Sequence, residues 1–253
     1  MISRMAERRL VYFLSDAHLG CRAISDTRQH ERRLVRFLDS IKETASAVYL
    51  LGDMFDFWFE YRTVVPKGYV RFLGKVAELV DSGVDVHFFT GNHDMWTFGY
   101  LESELGVHVH CRPLTADILG HTFFLAHGDG LNDRTLSVRI LQTIFHSRVM
   151  QFLFRLLPPV IGLGFGFAWS KHNRMRHIAY DCKYLGDDRE FLVQFAKEHS
   201  QSHSVDFYVF GHRHILRDVS VGSSRVIMLG DWFQKFSYAV FDGDMLSLRQ
   251  FDD

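Results

Sequence analysis

The chain has 253 residues, 47% hydrophobic and 23% charged, with a net charge of -1. A chain of this length can bury a full core, and its near-neutral balance excludes nucleic-acid binding driven by overall charge. Cys21, Cys111 and Cys182 are scattered, form no CxxC pair and fit no disulfide framework, so a reducing cytosol is expected.

The basic N-terminus (Arg4, Arg8, Arg9) leads into an apolar run at 10–14 that stops at Asp16, too short for a signal peptide and readable as a strand. A loop and a polar helical stretch over about 28–43 follow, then a second apolar run at 47–51. The spacing of Val70, Leu73, Val76, Ala77 and Val80 predicts a helix over 68–81, and a third apolar run occupies 84–90. Apolar strands alternating with helices are the pattern of a sheet covered on both faces. Residues 107–126 read as shorter strands turning at Gly120, and a helical insertion covers about 131–199. Strands are predicted at 207–210, 224–229, 236–241 and 246–251, the last two joined by the hairpin turn Asp242-Gly243-Asp244. The chain has no internal repeat and no low-complexity linker. Its 24 Phe are an excess that the fold must house.

Five short polar clusters each follow an apolar run: Asp16-Ala17-His18, Gly52-Asp53-Met54-Phe55-Asp56, Gly91-Asn92-His93-Asp94, His127-Gly128-Asp129 and Gly211-His212-Arg213-His214. Carboxyl ends of strands are where open α/β sheets collect ligands, and a neighbouring glycine lets the backbone turn sharply. Mixed Asp, His and Asn donors without a thiolate suit Mn, Fe, Zn or Mg rather than a structural zinc. Taken singly, each cluster reads as a turn or a surface loop. Five in this order point to a metal centre.

The order D-x-H, G-D-x-x-D, G-N-H-D, H-G-D, G-H-x-H resembles the calcineurin-like metallophosphoesterases, across residues 16–214 with no motif missing. The resemblance implies an α/β fold, a four-layer αββα sandwich, with residues 1–130 and 200–253 as core and 131–199 as an inserted helical cap. It implies two divalent ions, one held by Asp16, His18, Asp53 and His214, the other by Asp53, Asn92, His127 and His212, with Asp53 bridging. His93 would face the substrate and Asp94 would orient His93. Asp56 and Asp129 would sit behind the ligands, with a plain turn residue the competing reading of Asp129. The ten other histidines are read as surface or core residues.

From Arg134 to Tyr180 there is no Asp or Glu, while Arg134, Arg139, Arg148, Arg155, Lys171, Arg174 and Arg176 supply seven cations. Within this span, residues 149–169 are almost wholly apolar. Arg155, Pro158-Pro159 and Gly162, Gly164 and Gly166 interrupt the run, and its longest charge-free part falls short of the ~20 residues that span a bilayer. Such helices either pack as a cap whose cations face water, or lie on an anionic membrane surface or enclose acyl chains near the metals. The absence of acids favours the second.

With its D-x-H-L opening, the Gly-Asp-Met-Phe-Asp-Phe-Trp run and Arg-Leu-Leu-Pro-Pro in the cap, the chain is similar to the UDP-2,3-diacylglucosamine hydrolases of lipid A synthesis. That similarity implies cleavage of a pyrophosphate to UMP and 2,3-diacylglucosamine 1-phosphate, with Mn²⁺ as the usual ion. It also implies a peripheral seat on the cytoplasmic face of the inner membrane, with no obligate protein partner. Asn92, His93, His212 and, from the cap, Ser170, Lys171, Asn173 and Arg174 would contact substrate. One departure stands out: the family typically carries Arg where this chain has His93. Imidazole serves an alkoxide leaving group, so a soluble phosphodiesterase or phosphatase acting on nucleotides is the alternative. A non-catalytic scaffold would be expected to shed ligands, and none is missing.

Overall fold

The computed structural model describes residues 9–131, 140, 143–181 and 183–252, with only the backbone described for 173–181. Arg4, Arg8, Arg134 and Arg139, and the side chains of Asn173, Arg174 and Arg176, therefore lie outside the described residues. In chain order the elements are β1 (Leu10–Leu14), α1 (Thr27–Ile41), β2 (Ala45–Leu51), α2 (Val70–Asp81), β3 (Asp85–Phe89), α3 (Tyr100–Leu105), β4 (His108–His110), β5 (Leu114–Ile118) and β6 (His121–Ala126). They continue as α4 (Arg148–Arg155), α5 (Pro159–Asp181), α6 (Phe191–His199), β7 (Phe207–Phe210), β8 (Leu216–Val221), β9 (Ser224–Leu229), β10 (Ser237–Phe241) and β11 (Leu246–Gln250).

Two sheets form, one in the order β11-β10-β1-β2-β3-β4 and the other β5-β6-β7-β9-β8. The continuous apolar runs are explained by what each face meets. Tyr12, Leu14, Val48, Leu50, Val86 and Phe88 face α1, α2 and α3. The alternate residues Val11, Phe13, Tyr49, Leu51 and Phe89 meet Phe123, Leu125, Phe207, Val209, Ile227 and Leu229 of the second sheet. The first sheet is thus covered on both faces, by helices on one side and by a sheet on the other. The far side of the second sheet buries Phe124, Tyr208, Phe210 and Met228 against Leu192, Val193 and Ala196 of α6. Helices, sheet, sheet and helix make the four layers. Because α6 packs on the second sheet, residues 191–199 stand with the sheets, not with the insertion.

Part of the aromatic excess sits between the sheets, where Phe13 stacks on Tyr49 at 5.2 Å and on Phe123 at 5.5 Å. The sequence pattern missed α3, six residues long and too short to display a helical period. It missed β8 as well, an edge strand whose half-exposed residues form no apolar run. Gly162, Gly164 and Gly166 do not end a helix but lie inside α5. A Cβ at Gly162 would overlap the Tyr61 hydroxyl and one at Gly166 the Phe57 ring. Gly162 and Gly166 let α5 lie flush on the aromatic run that follows Asp53. Among the described residues no helix is long and apolar enough to cross a membrane.

Candidate metal centre

The five clusters follow β1, β2, β3, β6 and β7, and the pairing of those strands brings their ends together. Asp16, His18, Asp53, His212 and His214 all have positive φ, from 44° to 66°. The left-handed region costs a residue with a Cβ about 1–3 kcal/mol, and such strain concentrates at functional sites. Five of the seven candidate ligands carry it. Two glycines are required by close approach: a Cβ at Gly91 would overlap Asp53 Oδ1, and one at Gly211 would stand 2.7 Å from Asp16 Oδ2.

The side chains converge. Asp16 Oδ1 is buried, accepts no hydrogen bond, and lies 3.1 Å from His214 Nε2 and 3.8 Å from His18 Nε2. The two imidazole nitrogens His18 Nε2 and His214 Nε2 are 3.2 Å apart. On the other side Asp53 Oδ2 is 3.3 Å from His127 Nε2, and His127 Nε2 is 3.3 Å from Asn92 Oδ1. Asp53 Oδ2 is also 3.8 Å from His18 Nε2, so this one carboxylate oxygen stands between the two groups. His212 gives its backbone N–H to Asp16 Oδ2 at 2.9 Å, and its ring is 5.2 Å from that of His127.

Carbonyl oxygens fix the ring tautomers, because a carbonyl can only accept. His127 Nδ1–H donates to Leu51 O at 2.8 Å and His93 Nδ1–H to Asp56 O at 2.7 Å, which turns both Nε2 atoms inward. Against the desolvation of complete burial, His127, His93 and His18 hold the Asp53 carboxyl well below its usual range. Burial, with His127 beside it, pushes His212 well below the usual imidazole value. An ionised carboxylate and neutral imidazole are the forms that ligate metals. The donor set fits a pair of divalent ions: buried oxygens and nitrogens crowd together, and against its burial Asp53 raises the His127 imidazole well above its usual value, a proton that a bound ion would displace.

One expectation is corrected. The Asp94 carboxylate is not given to the His93 ring; it accepts from the backbone N–H groups of Gly91 (2.7 Å), Met54 (2.8 Å), Asp53 (3.3 Å) and Phe55 (3.3 Å). It staples the second motif to the third, and those four donors consume its acceptor capacity. His93 is oriented instead by the Asp56 carbonyl and by Ser170 of α5, whose Oγ is 3.3 Å from His93 Nδ1. Asp56 Oδ1 lies 3.9 Å from His18 Nδ1. Ser170 is buried and Lys171 is exposed. Asp129 lines a cavity of about 510 Å³ with His127, Arg112, Thr143 and His146.

Two features escaped the sequence. His30 of α1 donates from Nε2 to Ala17 O at 2.7 Å, gripping the backbone between Asp16 and His18. The aromatic residues near the ligands form a shelf for the insertion: Phe154 lies 4.7 Å from Phe59 and 4.9 Å from Trp96, and Trp96 Nε1 donates to Phe145 O at 2.9 Å. Their signal was the cluster of aromatic residues beside metal motifs, where core packing alone does not require them.

A family model described as calcineurin-like phosphoesterase matches residues 10–216. The chain belongs to the calcineurin-like phosphoesterases. It is accordingly a hydrolase of a metal-dependent family, and the clustered donors of its two-sheet fold are where divalent ions fit. Among curated relatives of this phosphoesterase, the UDP-2,3-diacylglucosamine hydrolase of Porphyromonas gingivalis (strain ATCC BAA-308 / W83) is 45% identical, covering 97% of this chain and 99% of its own. The protein of the same name from Aeromonas salmonicida (strain A449) is 28% identical, covering 90% of this chain and 88% of its own. Among solved structures, Yfce, a phosphoesterase from E. coli, aligns at 15% identity with a TM-score of 0.47, covering 95% of this chain and 92% of its own.

Proposed function

We propose that this phosphoesterase cleaves the pyrophosphate bond of UDP-2,3-diacylglucosamine, giving UMP and 2,3-diacylglucosamine 1-phosphate. The observation that carries the substrate is the 45% identity, over nearly the whole of both chains, to a relative of that name. Asp16, His18, Asp53 and His214 would hold one ion and Asp53, Asn92, His127 and His212 the other, with Mn²⁺ the ion of choice for such oxygen and nitrogen donors. Bound there, a divalent pair lowers the pKa of water and neutralises charge on phosphoryl oxygens.

The chain's own groups do the rest. His93 turns Nε2 toward the site, its Nδ1 held at 2.7 Å by the Asp56 carbonyl. A phosphate leaving group, with a second pKa of about 6, departs without being handed a proton. Such a leaving group asks no acid of the site, so an imidazole at position 93 is compatible with a pyrophosphate. Ser170 keeps the ring in place from the cap side, and the aromatic shelf of Phe57, Phe59 and Trp96 seats α4 and α5 beside it. Val149, Phe152, Val160, Ile161 and Phe165 on those helices, and Leu156 between them, are exposed. With Arg148, Arg155 and Lys171 among them and no acid from 134 to 180, they suit acyl chains and an anionic leaflet, the cytoplasmic face of the inner membrane.

The test is an assay of the Mn²⁺-loaded protein on UDP-2,3-diacylglucosamine and on a chromogenic phosphodiester. Release of UMP from the lipid is the expected result. Turnover of the diester with none of the lipid would overturn the assignment in favour of the soluble phosphodiesterase.

A further inference from the structure

The edge of the first sheet carries a second gathering of metal-binding side chains, more open than the first, its donor atoms not all within 4.8 Å of one another as they stand. Asp85 and His87 on β3, and His108 and His110 on β4, alternate with Val86 and Val109, so each pair projects from one face of its strand. Strand register sets His87 opposite His108. Asp85 Oδ2 lies 3.1 Å from His87 Nε2, and Asp85 Oδ1 lies 3.1 Å from His108 Nε2. His87 Nδ1 is hydrogen-bonded to His110 Nε2 at 2.9 Å, and the His87 ring stacks on Tyr49 at 4.3 Å and 3°.

Histidines at a sheet edge also serve as cover for apolar neighbours, and His110 does stack on Phe89 at 4.6 Å. Cover does not require two imidazoles to meet on one carboxylate, nor a third to brace the inner ring from behind. Metal-bound histidines have that arrangement, with the outer nitrogen held by a second polar group. Burial lowers the pKa of His87 and of His110, which keeps lone pairs available near neutral pH.

We propose that Asp85, His87 and His108 form a second metal site for a borderline divalent ion of the Zn²⁺, Ni²⁺ or Cu²⁺ kind, with His110 positioning His87. Two imidazoles and a carboxylate are the donor set those ions prefer. The side chains of His108 and Asp85 are 63% and 54% exposed, so an ion enters from solvent and His108 swings in to close on it. The remaining coordination positions are left to water. The site is separate from the first: it shares no side chain with the seven candidate ligands, which follow the strand ends rather than lie within β3 and β4. Its effect would be to clamp β4, an edge strand of three residues, onto β3.

Isothermal titration of the Mn²⁺-loaded full chain with Zn²⁺ tests this against the double variant Asp85→Asn, His108→Gln. Both positions are surface-exposed and outside the candidate centre, so melting temperature and Mn²⁺-dependent hydrolysis should match the parent. The parent should take up one more equivalent of Zn²⁺ than the double variant. His87→Gln, which spares the carboxylate, should weaken that equivalent at least tenfold. Equal stoichiometry and affinity in the parent and the double variant would overturn the proposal.

Discussion

Replacing Asp94 with Ala would orphan four buried N–H donors, those of Asp53, Met54, Phe55 and Gly91. Each costs about 1–3 kcal/mol, and for a domain of this size the loss lowers the melting temperature by at least about 8 °C. His93→Gln removes a group at the site's mouth and no structural bond of that kind. Its melting temperature should stay within about 2 °C of the parent, while kcat falls about 10²–10³-fold. Thermal unfolding and steady-state kinetics on the two variants separate these roles; matching profiles would restore the view that Asp94 acts through His93. The sequence could name both residues because G-N-H-D is short and polar after an apolar run. It could not divide their work. Adjacent side chains in a tight turn point different ways, and only the fold shows that Asp94 reaches back to residues 53–55 while His93 reaches the Asp56 carbonyl.

The same division holds for whole elements. Strands β1, β7 and β9 were legible to the residue because both of their faces are buried and the apolar run has no gaps. β8 was illegible for the opposite reason, since at the edge of the second sheet nothing compels an apolar pattern. α5 posed a subtler problem. Its glycines look like breaks, yet they are where the helix meets Phe57 and Tyr61, a contact between segments about a hundred residues apart that no local pattern encodes. Gly166→Leu would drive a side chain into the Phe57 ring and lift α5 off its shelf. Metal content and the sheet core should be untouched, whereas KM for the acylated substrate should rise at least tenfold. An unchanged KM would show that the seating of α5 is irrelevant to the substrate.

At the scale of the whole molecule, the four layers hold the ligands at one end of the strands, and the cap places an apolar, basic surface beside them. A protein so built should sediment with vesicles containing phosphatidylglycerol and not with neutral ones. Arg148→Glu with Lys171→Glu should weaken that binding at least tenfold, at about 1 kcal/mol for each cation near an anionic surface. Equal binding to both vesicle types would confine the apolar helices to holding the ligand's tails. The central claim is narrower than the membrane and the lipid: seven side chains grip two ions. Anomalous diffraction from a crystal grown with Mn²⁺ measures this directly. The account predicts two peaks about 3.5–4 Å apart, one among Asp16, His18, Asp53 and His214 and one among Asp53, Asn92, His127 and His212. A single peak, or Mn²⁺ found only away from Asp53, would contradict it.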